Sequence, residues 1–237
     1  MKAQGGKAIY GAAVGILMLE ARFPRIPGDM GNATSWEFPV HYKIVRGASP
    51  DKVVRRNAQG LLPDFIAAAQ ELVADGVDGI TTNCGFLSIF QQDIAAAVGV
   101  PVATSSLMQT GMVNALLPAG KRAGILTISG SSLTPAHLAA AGVPPDTPIG
   151  STEGSREFTR AILGNEPEMD VAAAEEDNVD AARKLVASNP DIGALVLECT
   201  NMGPYAPAIR AATGVPVFSI LSFVTWFQSA LSPRTFR

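Results

Sequence analysis

Short apolar runs alternate along the chain with longer stretches whose apolar residues recur at helical spacing. The runs 11–19, 80–83, 100–104, 122–128, 194–198 and 215–220 are brief and nearly continuous, as buried strands are, and 38–45 reads as a further strand. Helical stretches at 61–74, 86–98, 106–117, 135–141, 171–187 and 205–212 fall between them. A last helix over 223–231 is expected to pack through Trp226 and Phe227. Gly76 sits where a helix-terminating glycine belongs. This alternation predicts an α/β fold with parallel sheets covered on both faces. Two segments fall outside it. Residues 23–36 form a polar-aromatic stretch dense in turn formers, and 142–167 shows no clear periodicity.

The pattern occurs twice. Asp78-Gly-Ile-Thr-Thr-Asn-Cys84-Gly leads to Gly99-Val-Pro-Val102, and Ile192-Gly-Ala-Leu-Val-Leu-Glu-Cys199-Thr-Asn leads to Gly214-Val-Pro-Val217. Each cysteine precedes its Gly-Val-Pro-Val by 15 residues, and the two copies are 115 residues apart. An earlier echo, Gly15-Ile-Leu-Met-Leu19 against Gly124-Ile-Leu-Thr-Ile128, is shifted by 109 residues, so a short insertion separates the landmarks. A period this long marks related half-domains rather than a solenoid. The expected architecture is two pseudosymmetric α/β lobes, each a parallel sheet flanked by helices. Residues 1–118 form one and 119–237 the other, and the C-terminal segment packs with the first.

The duplication gives the chemistry. Cys84 and Cys199 are the only cysteines, and each falls at the carboxyl end of a strand just before a helix, the edge where open α/β sheets bind ligands. A pseudo-twofold axis brings the two thiols to opposite sides of one cleft. Helix N-termini there are expected to lower a thiol pKa towards neutrality. A thiolate on one face of a substrate takes a carbon-bound proton while the thiol on the other returns one. Asn83, Thr200 and Asn201 flank the thiols as candidate hydrogen-bond partners for a substrate carboxylate. Gly85 allows close approach to the backbone, and Ser131 lies in a second polar loop, Ser129-Gly-Ser-Ser132. Asp29 in Pro27-Gly28-Asp29 reads more simply as a turn residue than as a group orienting a thiol. Trp36 is the one aromatic considered for lining a pocket.

At Thr81-Thr-Asn-Cys84-Gly and Leu197-Glu-Cys199-Thr-Asn201 the chain resembles the aspartate/glutamate racemase superfamily, which includes amino-acid and hydantoin racemases, maleate isomerases and arylmalonate decarboxylases. The resemblance covers nearly the whole chain. It implies a pair of pseudosymmetric lobes and cofactor-independent chemistry at carbon, with Cys84 and Cys199 as the catalytic pair. The first motif departs from the amino-acid racemases, which carry Cys-Asn-Thr where this chain has Asn83-Cys84-Gly85. Asn201 stands where glutamate racemases have histidine. These departures argue against aspartate or glutamate as substrate.

Composition narrows the remaining choices. Charged residues are 16% of the chain and the formal net charge is −3, which excludes the basic surface that a nucleic-acid or anionic-membrane partner needs. An apolar fraction of 47% with so little charge points to a homo-oligomer. The apolar segment at 8–19 mimics a signal peptide but lacks a convincing cleavage site, so a reducing cytoplasm and free thiols are expected. His41 and His137 have no partners at metal-ligand spacing, and no dinucleotide or phosphate-loop motif is present, so neither a metal nor a cofactor is expected. The leading expectation is a cofactor-independent racemase or epimerase acting on a small carboxylate by two-thiol proton transfer. Its alternatives are a cis–trans isomerase or decarboxylase of a small diacid using one cysteine, and a non-catalytic small-molecule-binding protein.

Overall fold

The computed structural model describes residues 3–236. Two four-stranded sheets, parallel throughout, carry the same strand order. The first runs β2-β1-β3-β4, from β1 (Val14–Leu19), β2 (Val40–Val45), β3 (Gly79–Thr82) and β4 (Val102–Ala103). The second runs β6-β5-β7-β8, from β5 (Arg122–Thr127), β6 (Ile149–Ser151), β7 (Ile192–Leu197) and β8 (Val217–Phe218). The two copies of the sequence motif fold alike. β3 passes through a 3-10 turn, Gly85–Phe90, into helix Gln91–Ala97 and then β4. β7 passes through a 3-10 turn, Thr200–Tyr205, into helix Ala206–Thr213 and then β8. Central strands β1, β3, β5 and β7 are buried almost throughout, as strands covered on both faces must be.

The differences from the sequence reading have local causes. Two elements hide in the segment 142–167, β6 and the helix Phe158–Leu163, because three and six residues are too few to show a period. The helix Pro50–Val54 is equally short; Ser49 caps it and Pro50 opens it. Each thiol is followed by a 3-10 turn rather than directly by an α-helix.

The last helix, Ile220–Leu231, returns to the first sheet, where Ile220, Phe223, Val224 and Phe227 pack on Val14, Ile16 and Met18. Gly79 leaves room for it, since a Cβ there would lie 2.5 Å from Leu231 Cδ1. Phe227 is buried, whereas Trp226 is 56% exposed and only stacks on Phe223, so one of the two expected anchors is at the surface. Trp36 belongs to this same core rather than to a pocket; its indole N–H donates to the carbonyl of Met30 at 3.2 Å. Among the described residues no helix is long and apolar enough to cross a membrane.

This packing makes the C-terminal helix a structural part of the first half. Phe227→Ala should lower unfolding free energy by about 3 kcal/mol through the cavity it leaves, with an unchanged denaturant slope. A loss well under 1 kcal/mol in urea titration would mean that the helix contributes little anchoring.

Candidate active site

Strands β3 and β7 each end two residues before a cysteine, so the two sheets deliver their thiols from corresponding positions. Cys84 and Cys199 line one cavity, walled on its apolar side by Phe23, Val54, Ile162 and Leu163. The polar side is Asn83, Gly85, Glu198, Thr200 and Asn201. The space open to a water molecule's centre is about 20 Å³, room for one or two waters and nothing larger. Admitting a substrate therefore requires the apolar wall to part.

Four of the expected site residues knit the halves together. The Thr200 hydroxyl donates to the carbonyl of Asn83 at 2.6 Å, and Asn83 Oδ1 accepts the N–H of Leu19 at 2.7 Å. A Cβ on Gly85 would overlap Glu198 Oε1 and lie 2.5 Å from the Glu198 carbonyl. The group that comes close to the Gly85 backbone is thus a side chain of the other half. Asn201 accepts from Cys199 Sγ at 3.6 Å and donates through Nδ2 to Asp29 Oδ2 at 2.6 Å. Buried polar groups pair because an unpaired one costs about 1–3 kcal/mol, which is why these side chains reach across to each other.

Asp29 proves to be more than a turn residue. Its Oδ1 takes the Gly31 N–H at 2.7 Å, as a turn aspartate does, and also pairs with Arg25 at 2.8 Å. Its other oxygen fixes the Asn201 amide, so the long loop 23–36 orients the partner of the second thiol. Ser131 is not brought to the cavity. It is exposed, and its hydroxyl and N–H both bind Glu153.

Glu198, quoted in the second motif but given no role there, is fully buried. Its Oε2 accepts the Thr127 hydroxyl at 2.6 Å, whereas Oε1 has no hydrogen-bond partner among the described residues. Burial pushes its pKa up to about 7, against the Thr127 hydroxyl and the Ile128 N–H, which pull it down. The available signal was a glutamate closing the apolar run Ala194–Leu197, where a buried carboxylate is rare.

The thiols depart from the sequence expectation. Burial, then the nearby Glu198 charge, push Cys84 well above the ordinary thiol range, although the N–H groups of Phe86 and Leu87 oppose this. Cys199 is raised for the same two reasons, with only the Asn201 N–H among backbone groups pulling it down. Desolvation in a closed cavity outweighs what a single 3-10 turn of N–H groups provides. At rest, the most readily ionised of these three groups is Glu198.

No family model matches the chain. A dimethylsulfoniopropionate lyase of Durusdinium sp. clade D is 29% identical over 223 residues, which span 91% of this chain and 74% of that protein. Dimethylsulfoniopropionate lyase 7 of Emiliania huxleyi is 30% identical over 241 residues, 94% of this chain and 68% of that protein. The chain belongs to the dimethylsulfoniopropionate lyase family. Among solved structures, arylmalonate decarboxylase superposes with a TM-score of 0.61 at 19% identity, over 94% of each chain. Glutamate racemase of Bacillus anthracis gives 0.59 at 14% identity, over 93% of this chain and 81% of that one. These likenesses show that the chain has the α/β fold of these decarboxylase and racemase structures. The relatives and neighbours are enzymes, but the sequence relatives carry the name of a lyase, not of the expected isomerase.

The raised Glu198 has a measurable consequence for stability. Its folded-state pKa lies above the ordinary value, so the native state binds the extra proton between pH 4.5 and about 7. Stability from this group is greatest below that window and falls as pH rises through it, by about 3 kcal/mol in all. In Glu198→Gln that decline should disappear from urea titrations between pH 5 and 8. Parallel profiles for the two proteins would show that Glu198 titrates normally.

Proposed function

We propose that this protein is a cofactor-independent carbon–sulfur lyase acting on dimethylsulfoniopropionate. The single observation that carries the reading is the placing of both thiols and one buried carboxyl in one small cavity, within a family whose named members are lyases of that compound. Eliminating the sulfonium group requires a base to take a proton from the carbon beside the carboxylate. The C–H electrons then form the double bond and dimethyl sulfide leaves, giving acrylate. This first step is the one a racemase or decarboxylase of the same fold needs to control, namely negative charge developing next to a carboxylate.

The two thiols differ in a way that divides the work. Two backbone N–H groups, of Phe86 and Leu87, favour the ionised form of Cys84. The Cys199 S–H donates to Asn201 Oδ1, and the Asn201 NH₂ donates to Asp29, which orients the amide to accept from the thiol. Cys84 is accordingly the base and Cys199 a thiol donor facing the substrate. Elimination needs no proton returned to carbon, so the second thiol can assist without being essential. Closure of the apolar wall removes water and so strengthens each of these interactions.

A second reading, racemisation of a chiral carboxylate, is favoured by the presence of a thiol in each half. The two readings part on one experiment. Purified protein given dimethylsulfoniopropionate should release dimethyl sulfide and acrylate in equal amounts. Cys84→Ser should lower kcat by about 100-fold or more, the usual cost of losing a general base, and Cys199→Ser by markedly less. No sulfide from wild-type protein, with loss of optical activity in a chiral carboxylate that needs both thiols, would replace the lyase reading with the racemase one.

A further inference from the structure

We infer that Glu198 is the internal proton acceptor for Cys84, a positioning residue that turns the buried thiol into the working base. The inference deepens the lyase reading and rests on it for the identity of the substrate. Four observations carry it. Glu198 lines the same cavity as both thiols. Its Oε1 is completely buried and has no hydrogen-bond partner among the described residues, so the carboxyl has an unfilled position for a proton. That oxygen lies against Gly85, the residue after Cys84, at a spot where any side chain would collide with it. Its other oxygen is held by Thr127, which fixes the carboxyl plane.

The cavity contains few other ionisable groups. Around Glu198 stand the Cys84 and Cys199 thiols; beyond them lie the Arg25–Asp29 pair and the Tyr205 phenol. Asp29 is already paired with Arg25 and committed to Asn201. Tyr205 is raised by burial, then by the Asp29 charge, so it stays protonated. Glu198 and the thiols therefore share a single negative charge, since two so close together and so deeply buried repel strongly.

The step balances. The Cys84 S–H bond breaks and its proton passes to Glu198, so the charge moves from carboxylate to sulfur. The thiolate pair takes the proton from the carbon beside the substrate carboxylate and a new S–H bond forms. The C–H electron pair becomes the double bond, and the C–S pair leaves on dimethyl sulfide. Glu198 then gives its proton to water when the cavity opens, which restores carboxylate and thiol. One proton is released per turnover and no redox partner is needed.

The test separates this role from the choice of substrate. Iodoacetamide alkylation of Cys84, followed by peptide mass spectrometry, should rise with pH to a shoulder near 7 in wild-type protein, as Glu198 ionises. Glu198→Gln should lack the shoulder, its rate climbing on past pH 7 to about 10-fold above wild type at pH 8 because no carboxylate competes for the charge, while Glu198→Asp should regain the shoulder in part. Sulfide release, which needs the Cys84 proton taken up inside the closed cavity, should show the same shoulder and fall at least 10-fold in Glu198→Gln. A merely structural glutamate would leave the Gln variant with the wild-type profile, and that result overturns the inference. If Gln fails to fold, as seen by circular dichroism, the Asp variant decides: a wild-type rate with no shifted shoulder also overturns it. If the shoulder depends on Glu198 but no sulfide is ever released, the proton acceptor stands and only the lyase reading falls.

Discussion

A closed apolar cavity of this size tolerates one negative charge, and much of the site's design follows from that limit. Desolvation raises both thiols and Glu198 together, and whichever group ionises raises the others further. The usual picture of a thiolate held ready at a helix N-terminus does not apply here, because the N–H groups of one short turn compete against complete burial. Charge is instead kept on the carboxyl and moved to sulfur when it is needed. The same limit explains why the Arg25–Asp29 pair lies behind Asn201 and not in the cavity itself.

The halves can enclose such a space only because their buried polar groups satisfy one another. Thr200 binds the backbone beside Cys84, and Ser106 of the first half donates to the carbonyl of Leu197 at 2.6 Å, at the foot of the second thiol. Gly85 and Gly203 each remove a side chain where the opposite half comes close; a Cβ on Gly203 would lie 2.5 Å from the carbonyl oxygen of Gly28. Packing, hydrogen bonding and chemistry are therefore set by the same few residues. A substitution at Gly85 would disturb the Glu198 carboxyl before it disturbed any ligand.

The duplicated motif made the architecture legible, because strand period, terminal glycines and the repeated Gly-Val-Pro-Val are local signals. It also pointed to both thiols and to their neighbours Asn83, Thr200 and Asn201. Long-range partners left no such trace. Asp29 reaches Asn201 across 172 positions of chain, and no periodicity encodes that contact. Glu198 stood in plain view, but its meaning depends on burial, which comes from the second sheet closing over it. Ser131 looked equivalent to the motif residues because it follows a homologous strand, yet its loop turns outward to Glu153. The proposed lyase chemistry was not readable either. Two thiols in one cleft suit inversion of a centre, and only the family relationship favours elimination.

At rest both thiols are protonated and the charge sits on Glu198. Thiolate absorbance in the ultraviolet, followed against pH in substrate-free protein and in the Cys84→Ser and Cys199→Ser variants, measures this directly. Both thiols should remain unionised through pH 8, with no thiolate signal assignable to either. A full thiolate signal titrating below pH 7, lost in one cysteine variant, would contradict the account and return the site to a preformed thiolate.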